Sequence, residues 1–330
     1  MSSARAVVFS EAGRLALRDV ELRPMADDEV AVETRYSSIS AGTERLLFDG
    51  KLPGMPGMQY PLVPGYEAVG VVTAAGRDVT NVAVGDDVFV GGARCYADVV
   101  AAFGGQSSQL IKSAAQVVPL HGIPLAHAPL LALAATSLHG VLRAGDVAGK
   151  RCAVIGMGAI GQFVARFLVA AGATVFESDL AEARLGRIPG VERISLDVPA
   201  AAPHGHGHGH GHGAHGGGPA PIDIAFECTG KSELLARIAG VLRPRGTIVV
   251  MSYYDRLETS FPELFVREPS LVVAREWEHG DLLAARDAIA DGRVRVDDLA
   301  SETYPVERYE SAYRVAFHDS STLKVILRWA

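Results

Sequence analysis

The element that most constrains the fold of this chain is Gly156-Met157-Gly158-Ala159-Ile160-Gly161. It follows an apolar run, Cys152 to Ile155, and precedes a helix-patterned segment, Gln162 to Ala171. In that strand–turn–helix setting the first glycine permits the tight turn and the second lets backbone approach a pyrophosphate. The third lets helix and strand pack closely, and free N–H groups at the helix N-terminus receive the anion. Gly156, Gly158, Ala159, Ile160 and Gly161 are therefore the expected core of a dinucleotide site.

The remaining patterns arrange themselves around this unit. From residue 151 onward, strand and helix patterns alternate at 152–155, 162–171, 174–177, 222–226, 232–242 and 246–251. Such alternation predicts a doubly wound parallel sheet, and hence an α/β protein. Residues 1–130 instead carry short alternating or apolar runs broken by glycine and proline, such as Glu29 to Thr34, Ala68 to Thr73, Asp87 to Val90 and Gln116 to Pro119. That texture predicts a β-rich domain. A helical stretch, Ala128 to Leu142, bridges the two. Further helical patterns at Asp281 to Ala290 and Val306 to Phe317 lead to a closing strand, Leu323 to Leu327. The expected organisation is a catalytic domain of residues 1–130 completed by 277–330, with a cofactor domain at 131–276 between them.

Bulk properties exclude several function classes. The net charge is -7 and neither Lys nor Arg clusters, which argues against nucleic-acid binding. No apolar stretch reaches the ~18 residues of a membrane anchor. Cys95, Cys152 and Cys228 are scattered and form no CxxC pair, the pattern of free thiols in a reducing cytoplasm. Residues 203–219 form a low-complexity segment with His204, His206, His208, His210, His212 and His215 among glycines. Its composition predicts a flexible surface loop with incidental affinity for nickel, copper or zinc. A metallochaperone or non-catalytic pigment carrier is the competing reading of that loop, opposed by the intact glycine fingerprint.

An acid about 20 residues beyond the glycines ordinarily accepts the adenosine ribose hydroxyls and repels a 2′-phosphate. Asp179 is the candidate and Glu177 the close alternative; the competing reading is a cap on the following helix. Both acids favour NAD over NADP, and no basic residue immediately follows them. Cys228, Thr229 and Gly230 end a strand pattern where backbone can face the nicotinamide ribose.

Two upstream segments carry a family resemblance. Pro64-Gly65-Tyr66-Glu67-Ala68-Val69-Gly70, followed by Gly76 and Gly85-Asp86, resembles the GHE segment of the medium-chain dehydrogenase/reductase superfamily. Ser38-Ile39-Ser40-Ala41-Gly42-Thr43-Glu44 resembles the segment where its zinc-dependent members place a cysteine. Here no cysteine occurs in that segment, Tyr66 stands where the zinc-binding histidine would be, and the four-cysteine lobe is missing between Val88 and Leu110. A zinc site needs three or four such ligands, so none is expected. The resemblance implies a GroES-like catalytic domain, a Rossmann cofactor domain and a homodimer. Thr136 matches the superfamily threonine that faces the nicotinamide.

Gly42-Thr43-Glu44-Arg45-Leu46-Leu47, Tyr60-Pro61-Leu62-Val63, Cys95-Tyr96, Phe103-Gly104-Gly105, Leu131-Ala132-Leu133-Ala134-Ala135-Thr136, Glu276-Trp277 and Leu323-Lys324-Val325 narrow the match. They resemble the bacteriochlorophyll-synthesis branch of the superfamily. That resemblance implies NAD-dependent oxidation of the C3 1-hydroxyethyl group of a bacteriochlorophyllide to acetyl. Without zinc to acidify the alcohol, side chains must handle its proton. Tyr66 is the candidate relay and Glu67 the candidate base or orienter, against a packed tyrosine and a structural ion pair. His139 either relays a proton or buries its ring. Ser40, Thr43 and Glu44 are expected to line the same site, and Met55 and Met58, in a Gly/Pro loop, suit a large planar apolar substrate. The competing enzyme reading, a zinc-free reductase of quinones or enones, predicts a preference for NADPH.

Overall fold

The computed structural model describes residues 2–52, 59–196 and 221–330. The chain forms two compact units, Thr136–Trp277 and a unit assembled from Met1–Ala135 with Glu278–Ala330. No described helix is long and apolar enough to cross a membrane.

The Thr136–Trp277 unit is built on a six-stranded parallel sheet. Its spatial order is Glu192–Arg193, Thr174–Ser178, Arg151–Ile155, Ile222–Glu227, Leu242–Val250 and Ser270–Val273. The order runs outward in both directions from Arg151–Ile155, so the strand entering the glycine turn is also the switch point where ligands bind in such sheets. Cys152, Ala153, Val154, Ala225 and Phe226 are all fully buried. They form continuous apolar runs because helices cover both faces of a parallel sheet.

Element boundaries moved for local reasons. The helix after the turn spans Ala159–Ala170, three residues ahead of the expected start, because Gly158 is extended and itself begins the helix. The helix expected to reach residue 242 stops at Val241, and Leu242–Val250 is strand throughout. Pro244 explains this, since it cannot continue a helix and pushes Arg243 toward extended backbone.

The second unit carries a seven-stranded sheet. Glu302–Pro305, Val325–Arg328, Glu29–Ile39, Ala68–Ala75, Asp87–Val90 and Val117–Pro119 lie in that order, with Gln109–Ser113 also paired to Glu29–Ile39. A four-stranded sheet adds Arg14–Glu21, Ser3–Glu11, Leu62–Val63 and Val100–Ala101. Val325–Arg328 runs antiparallel to Tyr36–Ile39, so the far end of the chain completes the sheet begun near its start. One core gathers Val8, Val20, Val72 and Leu110, and another gathers Phe9, Leu47, Tyr313 and Leu327. The helical stretch expected from Ala128 to Leu142 is a 3-10 turn at Ala128–Leu130 followed by a helix at Leu131–Arg143.

Candidate active site

The glycine turn has the geometry of a phosphate cradle. Gly156 sits at φ +94, and a Cβ there would meet Thr229 Cγ2 at 2.7 Å and the Cys228 carbonyl carbon at 3.0 Å. A Cβ on Gly161 would collide with the Gly156 carbonyl oxygen. Gly158 is different, because the nearest atom to a Cβ there is Arg184 Nη1 at 3.9 Å. Two glycines thus pack the turn and the third leaves an approach open. The helix that follows has no side-chain cap at Gly158, so its first N–H groups are available to an anion. These features fit a dinucleotide pyrophosphate.

Several candidates converge on this turn. Cys228 and Thr229 lie against Gly156, as the contacts above require. Cys228 is partly buried, and desolvation pushes its thiol well above the usual range. On the helix Leu131–Arg143, Ser137 donates to the Ile160 carbonyl at 3.2 Å, which sets its neighbour Thr136 beside the fingerprint helix. His139 is half-buried on the same helix. Asp179 accepts from the Met157 amide at 2.6 Å and from the Ala181 amide at 2.7 Å. It holds the turn through one carboxylate oxygen and the following segment through the other.

Glu177 does not share that position. It is fully buried, and its carboxylate accepts from the Gly186 amide at 2.5 Å. One position in a strand reverses the face a side chain occupies, and two positions on, beyond the strand end, the chain has left the sheet. A second correction concerns Arg184. Although no basic residue immediately follows Asp179, the 3-10 turn Glu182–Arg184 brings the Arg184 guanidinium to 3.6 Å from the Asp179 carboxylate.

The other unit holds a cluster of hydroxyls. Ser40 Oγ and Tyr66 Oη are 2.7 Å apart, and Thr43 Oγ1 is 3.4 Å from the same phenol. Tyr66 stays partly exposed, while desolvation and the nearby Glu67 charge push its phenol well above the usual tyrosine range. It therefore remains protonated at neutral pH and cannot act as an anionic base.

Behind this cluster lies a buried carboxylate. Glu44 opens the short helix Thr43–Phe48. Its Oε1 accepts from the Ser40 amide at 2.9 Å and from Gln106 Nε2 at 3.3 Å, and its Oε2 accepts from Tyr313 Oη at 2.6 Å. Complete burial pushes the Glu44 carboxyl up to about 7, against the lowering effect of those donors. Glu44 thus positions Ser40 from beneath rather than lining an open surface.

Glu67 is withdrawn from the base role. Lys324 Nζ lies 2.6 Å from Glu67 Oε2, and Ser38 Oγ donates to the same oxygen. Glu67 follows Tyr66 into the strand Ala68–Ala75, so its side chain turns to the interior where Tyr66 does not. Met55, Met58 and the 203–219 segment lie outside the described residues.

Besides Arg184, four residues that shape the candidate site escaped sequence reasoning. Lys324, Gln106 and Tyr313 meet Glu67 and Glu44 only through long-range pairing. Glu227 sits at the end of an apolar strand, fully buried. It accepts from the Thr229 amide at 2.6 Å, the Gly230 amide at 3.2 Å, and the hydroxyls of Thr229 and Tyr254. An acid within Ile222–Glu227 was the available signal, since a buried charge demands partners. Among the described residues, no group of three or more His, Cys, Asp or Glu side chains is placed to hold a metal ion.

Comparison with known proteins places these features in a family. Residues 26–122 match the alcohol dehydrogenase GroES-like domain. Two relatives, from Cereibacter sphaeroides and Rhodobacter capsulatus, are each named 2-desacetyl-2-hydroxyethyl bacteriochlorophyllide A dehydrogenase. The first is 32% identical over 98% of both chains, the second 34% identical over 91% of this chain and 90% of its own. A cobalt- and zinc-bound thermostable alcohol dehydrogenase from Pyrobaculum aerophilum shares the fold, with a TM-score of 0.78, 21% identity and coverage of 99% of this chain and 100% of the other. The β-rich unit is thus GroES-like and the parallel-sheet unit Rossmann-like, and the chain belongs to the bacteriochlorophyllide dehydrogenase family of the medium-chain dehydrogenase/reductase superfamily.

Proposed function

We propose that this protein oxidises the C3 1-hydroxyethyl group of a bacteriochlorophyllide to the 3-acetyl group, using NAD and no zinc. The observation that carries the zinc-free reading is the donor set around Tyr66. Zinc takes thiolate, imidazole or carboxylate ligands, whereas Tyr66, Ser40 and Thr43 offer hydroxyls. The adjacent carboxylate, Glu67, is already bonded to Lys324 and Ser38. These residues do not fit a catalytic zinc ion.

NAD, when bound, supplies the acceptor for the hydride that leaves the carbinol carbon. The chain supplies the fate of the hydroxyl proton. A protonated Tyr66 accepts it only as it passes its own proton to Ser40 Oγ, 2.7 Å away, which in the same concerted shift releases its hydroxyl proton to solvent water, and Thr43 steadies the phenol from the other side. Read in reverse, the same phenol donates to the carbonyl oxygen. Glu44 fixes the Ser40 backbone, and the Glu67–Lys324 pair keeps a second charge from competing for the proton. Gly156, Gly158 and the first turn of Ala159–Ala170 would hold the pyrophosphate, and Asp179 would receive the adenosine ribose. Thr136, Cys228, Thr229 and Gly230 are assigned to the nicotinamide half.

The coenzyme choice has one counterweight. Arg184, 3.6 Å from Asp179, partly offsets the acid that would repel a 2′-phosphate, which favours some use of NADP beside NAD. The test is turnover of 3-(1-hydroxyethyl)bacteriochlorophyllide a by the full chain, with NAD or NADP, before and after chelation. Conversion to the acetyl pigment with NAD, undiminished by chelator, is expected. Chelator-sensitive turnover would overturn the zinc-free mechanism, and a product formed only with NADP would overturn the coenzyme assignment.

A further inference from the structure

A cavity of about 460 Å³ opens in the β-rich unit, with Arg23, Glu29, Arg94, Phe103 and Lys112 in its wall. Its charges do not cancel. Arg23 is gripped by both oxygens of Glu29, at 2.7 and 2.6 Å, so that pair is internally neutral. No hydrogen bond or ion pair of the Arg94 or Lys112 side chain occurs among the described residues, and Glu29 is the only acid in the wall. Lys112 projects from the strand Gln109–Ser113 and is half-buried. Burial pushes its ammonium below the usual lysine range, and the Arg94 guanidinium pushes it the same way.

Lys112 is half-buried, the exposed Arg94 faces it as a second cation, and an anion seated between them relieves their repulsion. The two side chains are complementary in form. A guanidinium offers a planar fork that matches a carboxylate, while an ammonium is a compact point charge. The hollow also adjoins the hydroxyl cluster. Phe103 in its wall packs edge-on against Tyr66, with ring centroids 5.2 Å apart and planes at 66°. Phe103 thus borders both the hollow and the phenol.

A chlorophyllide is the unesterified form of its pigment. It carries a free propionate on the pyrrole ring next to the one bearing the hydroxyethyl group. We propose that Arg94 and Lys112 form a carboxylate subsite that receives this propionate and orients the macrocycle with its carbinol toward Tyr66. The assignment rests on the proposed function for the identity of the ligand. It makes the enzyme selective for the free acid over any esterified pigment.

The experiment compares 3-(1-hydroxyethyl)bacteriochlorophyllide a with its methyl ester. Binding is followed by absorption titration, and turnover by formation of the acetyl pigment. The wild-type chain is expected to bind the acid about tenfold tighter than the ester, as one lost charge-assisted contact implies. The double variant R94Q/K112M is expected to raise Kd and KM for the acid to the ester's values while leaving the ester's Kd and the melting temperature unchanged. Equal binding of acid and ester by the wild type overturns the subsite without recourse to any variant, as does equal weakening of both ligands in the double variant. Preference for the acid in binding, with no turnover of either pigment, supports the subsite and sinks the reaction instead.

Discussion

Lys324 places its ammonium 2.6 Å from Glu67 Oε2, with the two side chains only 4% and 0% exposed. The pair joins the closing strand region to the residue that follows Tyr66. Charges taken from water are costly, and their attraction repays this only while both partners stay in place. Lys324→Met is therefore expected to destabilise the protein by about 3–5 kcal/mol, leaving Glu67 charged and alone. The double variant E67Q/K324M should recover most of that loss. Urea denaturation of the three proteins checks both statements, and equal midpoints for the wild type and K324M would refute them.

Tyr66→Phe removes the phenol and leaves the ring against Phe103. The expected result is a fall in kcat of about 10²-fold with little change in KM or melting temperature. Because Tyr66 stays protonated, the wild-type rate should show no tyrosine ionisation below pH ~10. Steady-state kinetics across pH, with circular dichroism on the variant, reads out both.

Glu44 gives stability a pH dependence of known sign. Its folded-state pKa, about 7, lies above the ordinary glutamate value, so the native state holds its proton more tightly than the unfolded chain does. The associated stability is fully present below pH ~4.3 and is lost as pH rises through about 7. Glu44→Gln mimics the protonated form. The difference in unfolding free energy between wild type and E44Q should therefore shift against the wild type by up to about 1.4 kcal/mol per pH unit between those limits. A difference that stays flat from pH 5 to pH 7 would contradict the assignment.

The fingerprint glycines should separate cleanly. Gly158→Ala has room for its methyl and should fold normally, yet it narrows the open approach; NADH binding is expected to weaken about tenfold or more. Gly161→Ala drives a methyl into the Gly156 carbonyl and should lower the melting temperature as well. Fluorescence titration with NADH and thermal melts of both variants distinguish binding from folding.

The α/β class, the parallel sheet and the switch-point strand were legible because apolar runs and glycine spacing are local signals. The hydroxyl cluster was partly legible, since Ser40, Thr43 and Tyr66 all lie in motifs that are informative in themselves. The polarity of the network behind it was not. Glu44 and Tyr313 are adjacent only after the Tyr309–His318 helix docks, and nothing in the closing strand pattern Leu323 to Leu327 pairs Lys324 with Glu67. Glu177 stood as the close alternative to Asp179 because sequence spacing does not reveal which of two nearby acids points into the interior. Arg184 was overlooked because the turn that returns it to Asp179 has no periodic signature.

The pairing of Val325–Arg328 with Tyr36–Ile39 also sets an order of events during synthesis. Glu67 emerges from the ribosome well before Lys324, an interval on the order of ten seconds or more at ordinary elongation rates. Throughout it, the sheet lacks its closing strand and the glutamate its counter-charge, and the whole Rossmann-like unit is translated within it. A chain cut between Trp277 and Lys324 would carry the whole Rossmann-like unit yet leave Glu67 without its counter-charge. The contact that neutralises Glu67 therefore forms only after the Rossmann-like unit has been made, so the β-rich unit is finished by residues that follow its neighbour in the chain.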